Sequence, residues 1–175
     1  MAKNAIIPEA INDFNMYKDG NKLIGITGEV SFADLSSVTQ EISGTGILGT
    51  YDSAIIGFFD HISQEIPFRM LNKDALGLYN QTEMVDLTLR AAQQSTVKST
   101  GAIDISGMRI VFRGRAESLS IGSIKQGGPT DSSVTVGVIY MLIEINGEKL
   151  FELDKINGVF KINGVDQLAA IKALC

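Results

Sequence analysis

Residues 133–145 read SVTVGVIYMLIEI, and Asn146-Gly147 joins them to EKLFELD at 148–154. The thirteen-residue run is apolar on both faces of a period-two pattern, which predicts a strand covered on both sides. Asn-Gly tolerates the positive φ that a tight two-residue hairpin turn needs, so the next segment is predicted to fold back antiparallel. The chain continues as KINGVF and KINGVD at 155–160 and 161–166, a near-repeat too short for a solenoid unit, read as turn, strand, turn. VDQLAAIKAL then gives a short helix with Asp166 as its cap.

Upstream, the same period of two recurs. From Glu83, Val85, Leu87, Leu89 and Ala91 point one way, and Asp86, Thr88, Arg90 and Ala92 the other. Residues 107–119, GMRIVFRGRAESL, put Met108, Ile110 and Phe112 on one face, and the loop at 120–132 contains KQGGPTDS. Nearer the start, Asp19-Gly20 marks another hairpin, and EVSFADL at 29–35 reads as a strand through Val30 and Phe32. Residues 36–52 are polar and Gly-rich, without helical or strand period, and read as a long loop of the kind that tends to be functional. Residues 53–71 are ambiguous. Ile55, Ile56, Phe59, Ile62 and Ile66 fit helical spacing, whereas Pro67 argues for an edge strand over EIPFRML. Asn72 is expected to cap a short helix to Asn80 with Ala75, Leu76 and Tyr79 on its apolar face. The expected fold is mainly β, a sandwich or partly closed antiparallel barrel with one or two short helices. It forms a single domain over 1–175 with an N-terminal arm at 1–12 and a C-terminal segment at 166–175.

Composition narrows the function classes. The 175 residues carry a net charge of −5, 45% hydrophobic residues and one cysteine, Cys175 at the end of the sequence. An acidic surface disfavours specific nucleic-acid binding. No apolar run of about 18 residues exists, so no spanning helix or membrane anchoring is expected. The opening residues lack the apolar core of a signal peptide. SGTGILGT at 43–50 contains Gly44, Gly46 and Gly49 in G-x-G-x-x-G spacing. A dinucleotide site also needs a buried strand before the glycines and a helix after them, and SSVTQEI is too polar for that strand. His61 is the only histidine, Cys175 has no evident base, and the carboxylates lack EF-hand spacing. No catalytic, metal-binding or cofactor-binding residue is therefore expected. Arg109, Arg113 and Arg115 form a basic cluster on one strand, read as paired with acidic neighbours across a sheet or a subunit boundary; phosphate binding is the alternative.

The order of several modest motifs resembles the major tail tube proteins of contractile-tailed bacteriophages and R-type bacteriocins. The motifs are Arg113-Gly114-Arg115 on a strand, then Lys125-Gln126-Gly127 before a polar loop. The long apolar strand and hairpin follow, then Asp154 with Asn157, and a closing Gly164-Val165-Asp166. INDFNMYKDGNKLIGITGEVSFADL is similar to the family's opening hairpin and third strand. The resemblance implies six-subunit rings whose strands join into a ring-wide β-barrel. Rings would stack head to tail into a hollow tube inside a contractile sheath, with baseplate and tail-terminator proteins as further partners. It implies a virion tail, or a DNA-free tail-like particle conducting ions or effectors, assembled in the host bacterial cytoplasm. Gly44, Gly46, Ile47, Leu48 and Gly49 then become candidate contacts between subunits or rings. Glu83, Asp86 and Thr88 become candidate lining of the lumen, where negative charge would repel DNA from the wall. The rival reading is a monomeric small-ligand-binding β-barrel.

Overall fold

In a computed structural model the structure describes residues 5–175. Eleven strands and two short helices follow one another, and nine of the strands form one sheet. The strands are β1 (Ile6–Lys18), β2 (Asn21–Lys22), β3 (Ser37–Ile42), β4 (Tyr51–Phe59), β5 (Ser63–Phe68), β6 (Val85–Val97), β7 (Ile103–Ser120), β8 (Ser132–Ile145), β9 (Glu148–Asp154), β10 (Val159–Ile162) and β11 (Val165–Asp166). Helix α1 spans Lys73–Leu78 and α2 Ala169–Lys172. The main sheet runs β11-β10-β9-β8-β7-β6-β1-β2, wholly antiparallel, with β5 also paired to β8. It is not closed on itself, so the isolated chain is an open sheet rather than a barrel.

The predicted two-residue turns form. Asp19-Gly20, Asn146-Gly147 and Asn163-Gly164 each have both residues at positive φ, the conformation that matches the twist of the flanking strands. The alternation along β6 also holds. Val85, Leu87, Leu89 and Ala91 are buried with Ile110 and Phe112 of β7, Val134, Val136, Val138 and Met141 of β8, and Leu153 of β9. Helix α1 and the 23–33 segment close this face, with Ala75, Leu78 and Leu23 in the core. Asn72 caps α1 by accepting a hydrogen bond from the Ala75 N–H at 2.8 Å. The buried face of the helix is Ala75 and Leu78, however, and Leu76 and Tyr79 are exposed.

Two expectations fail, and one ambiguity resolves. Residues 36–52 are not a loop: β3 and β4 pair as a separate two-stranded sheet, leaving only 43–50 as its tip. A ribbon exposed on both faces has no reason to alternate in polarity, so the period that identifies a strand is missing. In the ambiguous segment 53–71 the helical alternative does not form and the strand alternative does: the residues finish β4 and form β5, where Pro67 lies in a strand whose ladder is with β8. Residues 29–35 are not a strand. Their backbone is held by one side chain instead of a ladder: Gln64, wholly buried on β5, donates to the Ser31 carbonyl at 2.8 Å and accepts from the Ala33 N–H at 3.1 Å. Of the expected N-terminal arm, residues 1–4 lie outside the described residues, and from Ile6 onward the segment is part of β1.

Candidate assembly surfaces

The sheet face turned away from the core carries three consecutive rungs of facing residues. The first is Asp86–Arg113–Tyr140–Asp154, the second Tyr17–Thr88–Val111–Leu142–Glu152, and the third Asn15–Arg90–Arg109–Glu144–Lys149. In the first, Arg113 Nε lies 2.6 Å from Asp86 Oδ2, and its guanidinium stacks over the Tyr140 ring at 4.9 Å. The Tyr140 hydroxyl donates to Glu152 at 3.2 Å. Burial, then the charge of Glu152, pushes the Tyr140 phenol above its ordinary pKa, so it remains a donor at neutral pH. In the third rung Arg109 lies 3.4 Å from Glu144, and Arg90 sits over the Tyr17 ring at 5.9 Å. Between these rungs of long side chains the aliphatic pair Val111 and Leu142 is buried. Of the candidate lumen residues, Asp86 and Thr88 share this face, whereas Glu83 precedes β6 and lies off the sheet.

The β3–β4 hairpin is the second surface. Gly44, Gly46 and Gly49 all have positive φ and shape its tip, where Leu48 is fully exposed and Ile47 partly so. The chain leaves the tip as strand β4, so no helix N-terminus stands behind the glycines to receive a pyrophosphate. The apolar surface extends past the residues singled out in the sequence: Tyr51 is 55% exposed, Ile56 58% and Phe58 62%. At its base the hairpin is anchored to the C-terminal part of the sheet. Phe59 packs edge-on against Phe160, Gly57 meets Leu168, and Lys155 Nζ donates to the Asp60 carbonyl at 2.6 Å.

The remaining chemistry-bearing side chains do not converge. His61 Nε2 lies 2.7 Å from Glu117, which also accepts from Ser63 at 3.1 Å, in an exposed position. Cys175 is exposed. Among the described residues no group of three or more His, Cys, Asp and Glu side chains is placed to hold a metal, and no helix is long and apolar enough to cross a membrane. An open groove of about 440 Å³ is lined by Ile11, Phe14, Val30, Phe32, Leu89 and Met108.

An all-antiparallel sheet, an anchored apolar hairpin and a lattice of paired charges form scaffolding and contact surfaces. Residues 8–174 match the model of the family described as phage tail tube protein FII. The chain belongs to this tail tube family. It is 26% identical over 163 residues to the tail tube protein of Escherichia phage P2, covering 93% of this chain and 94% of that one. Its fold is also similar to the PVC sheath/tube terminator of an extracellular contractile injection system, seen by cryo-electron microscopy in the extended state. That likeness has a TM-score of 0.53 and 16% identity, over 78% of this chain and 96% of the other. As a member of the tail tube family, it is a structural component of a tail.

The motif positions of the tail tube resemblance have structural work to do in this chain. Gly114 sits where β7 and β8 shift register; a Cβ there would overlap the Gly137 carbonyl oxygen. Arg113 on one side of it joins the ion-pair lattice, and Arg115 on the other is exposed. Lys125, Gln126 and Gly127 lie in the exposed β7–β8 loop, where the Lys125 carbonyl accepts from the Gly128 N–H at 3.1 Å. Asp154 closes the β9–β10 turn, accepting from the Ile156 and Asn157 N–H groups at 3.0 and 2.9 Å and from the Asn157 amide at 2.7 Å. Gly164 completes the β10–β11 turn. Asp166 precedes α2, accepting from the Leu168 N–H and pairing with Lys172, both at 2.9 Å.

Proposed function

We propose that this chain assembles into six-membered rings that stack into a hollow tube within a contractile sheath, and that DNA passes through the lumen. The similarity to a phage tail tube protein supports DNA over ions or effectors as the cargo. The observation that carries the reading is the hairpin: Leu48 at its tip, Tyr51 at the start of β4 and Ile56 and Phe58 near its anchored base are all exposed on one ordered element. Several large apolar side chains exposed on one element mark an interaction site.

Two features supply further contacts. Strand β1 is paired on its free side only at Tyr17 and Lys18, so most of its edge presents bare backbone groups in the isolated chain. A neighbour's strand satisfies them, and a heterologous contact that closes gives a ring. Exposed isoleucines also stand at opposite ends of the long strands: Ile6, Ile103 and Ile105 at one, Ile121 and Ile124 at the other. Such ends suit a head-to-tail contact that does not close, which makes a filament. The rung face bearing Asp86 and Thr88 is assigned to the lumen. Sheath, baseplate and terminator proteins are the partners the assembly requires.

Sedimentation of the purified protein tests this. The wild type is expected to shift to ring and tube species as concentration rises. A variant with Leu48, Ile56 and Phe58 all replaced by aspartate is expected to stay monomeric and folded, because exposed substitutions cost within about 0.5 kcal/mol each. Self-association unchanged in that variant would remove the hairpin from the interface.

A further inference from the structure

We infer that the rung face is a charge-cancelled surface that keeps its own arginines from gripping a phosphodiester backbone; this rests on that face lining the lumen. With Lys161 and Asp166, which continue the second rung beyond Glu152, three rungs bring together Arg90, Arg109, Arg113, Lys149 and Lys161 with Asp86, Glu144, Glu152, Asp154 and Asp166, five cations and five carboxylates. The formal charge of the face is zero, although the chain carries −5. The chain's excess negative charge therefore lies elsewhere, and repulsion from an acidic wall does not describe this face.

The cancellation is built from directed contacts. An arginine grips phosphate by offering two parallel N–H donors to two oxygens. Arg113 has its Nε committed to Asp86 at 2.6 Å and its flat face laid on Tyr140 at 4.9 Å. The Tyr140 hydroxyl is directed to Glu152 at 3.2 Å, which keeps the ring in place. Arg109 is held beside Glu144 at 3.4 Å, with its Nε buried and unable to meet a ligand from the channel. Arg90 is exposed, and among the described residues no carboxylate lies within 4.0 Å of it. Lys149 is likewise exposed and outside 4.0 Å of any carboxylate among the described residues, but the Arg109–Glu144 pair stands between it and Arg90 on the third rung. Two separated, exposed cations attract a passing phosphate too weakly to hold it, because affinity for duplex DNA grows with the number of phosphates neutralised together. Polymer thus slides along a wall that neither repels it nor binds it.

The test removes carboxylates while keeping shape. Asp86→Asn with Glu144→Gln raises the face by two charges per chain, and Glu29→Gln, at an exposed position off the sheet, serves as the charge-change control. Assembled tubes, and the monomers alongside them, are incubated with a labelled short DNA duplex and the retained label is measured against salt. Wild-type and Glu29→Gln protein are expected to retain almost none. The double variant is expected to retain at least tenfold more at 50 mM salt, falling about tenfold by 200 mM as two cations release their counterions. Double-variant protein that retains no more duplex than wild type, or wild type that already retains it, overturns the proposal. If the double variant forms no tubes, its monomer and the single Glu144→Gln variant give the same comparison. Absence of wild-type tubes counts against the tube reading itself, which separates the two failures.

Discussion

Asp154 shows how one side chain holds a turn and ties it to pH. Burial alone would raise its pKa, but the Asn157 amide and the N–H groups of Asn157 and Ile156 outweigh that and hold the carboxyl below the ordinary aspartate value of 3.8. A group depressed in the folded state contributes stability above its unfolded pKa and loses it as pH falls through the folded one. Wild-type protein should therefore exceed Asp154→Asn in thermal midpoint at pH 6, and the gap should close below pH 3.8. A gap constant from pH 6 to pH 2 would mean the ionised carboxylate contributes nothing. The sequence offered Asp154 and Asn157 only as members of a motif; three residues apart on a turn, they hydrogen-bond each other and hold it.

At the scale of elements, the long strands were legible and the ribbon was not. β6 announces itself because one face meets the core, so burial imposes the period of two: Val85, Leu87, Leu89 and Ala91 are buried and Asp86, Thr88 and Arg90 are not. β8 announces itself by an apolar run on both faces. Apart from Phe59 at the base, β3 and β4 meet no core, and Ile55, Ile56 and Phe58 serve an outer surface, which is why the segment fits helical spacing by chance. The 29–35 segment failed for the opposite reason. Val30 and Ala33 pack inward, but the Ser31 and Ala33 backbone groups are bonded by the Gln64 side chain, which no periodicity reveals. Of the basic cluster, the pairing of Arg109 and Arg113 with carboxylates was legible and Arg115 forms no such pair among the described residues; the 44–49 glycines read as part of a loop, and Tyr51, Ile56 and Phe58 of the strand behind them are not singled out as a surface. The β7–β8 crossing is the element with least room. Gly114→Ala would drive a methyl group into the Gly137 backbone carbonyl where the two strands shift register. A loss of about 3 kcal/mol is expected, lowering the melting temperature by about 10 °C. A melting temperature within a degree or two of wild type would show that the crossing relaxes freely.

For the whole molecule, the isolated chain is an unfinished object. Its main sheet is open at β1, its hairpin carries exposed aromatic and aliphatic side chains away from the core, and its strand ends are tipped with isoleucines. The core is complete without any of these: Phe68, Phe112, Leu87 and Val134 are fully buried in the single chain. Folding and assembly are thus separable, with the core fixing the subunit and the exposed surfaces remaining for its copies. Electron microscopy of the concentrated, negatively stained protein tests this most directly. Hollow tubes built of stacked rings are the expected result, and protein that stays strictly monomeric at every concentration, even with a nucleating baseplate supplied, would contradict it.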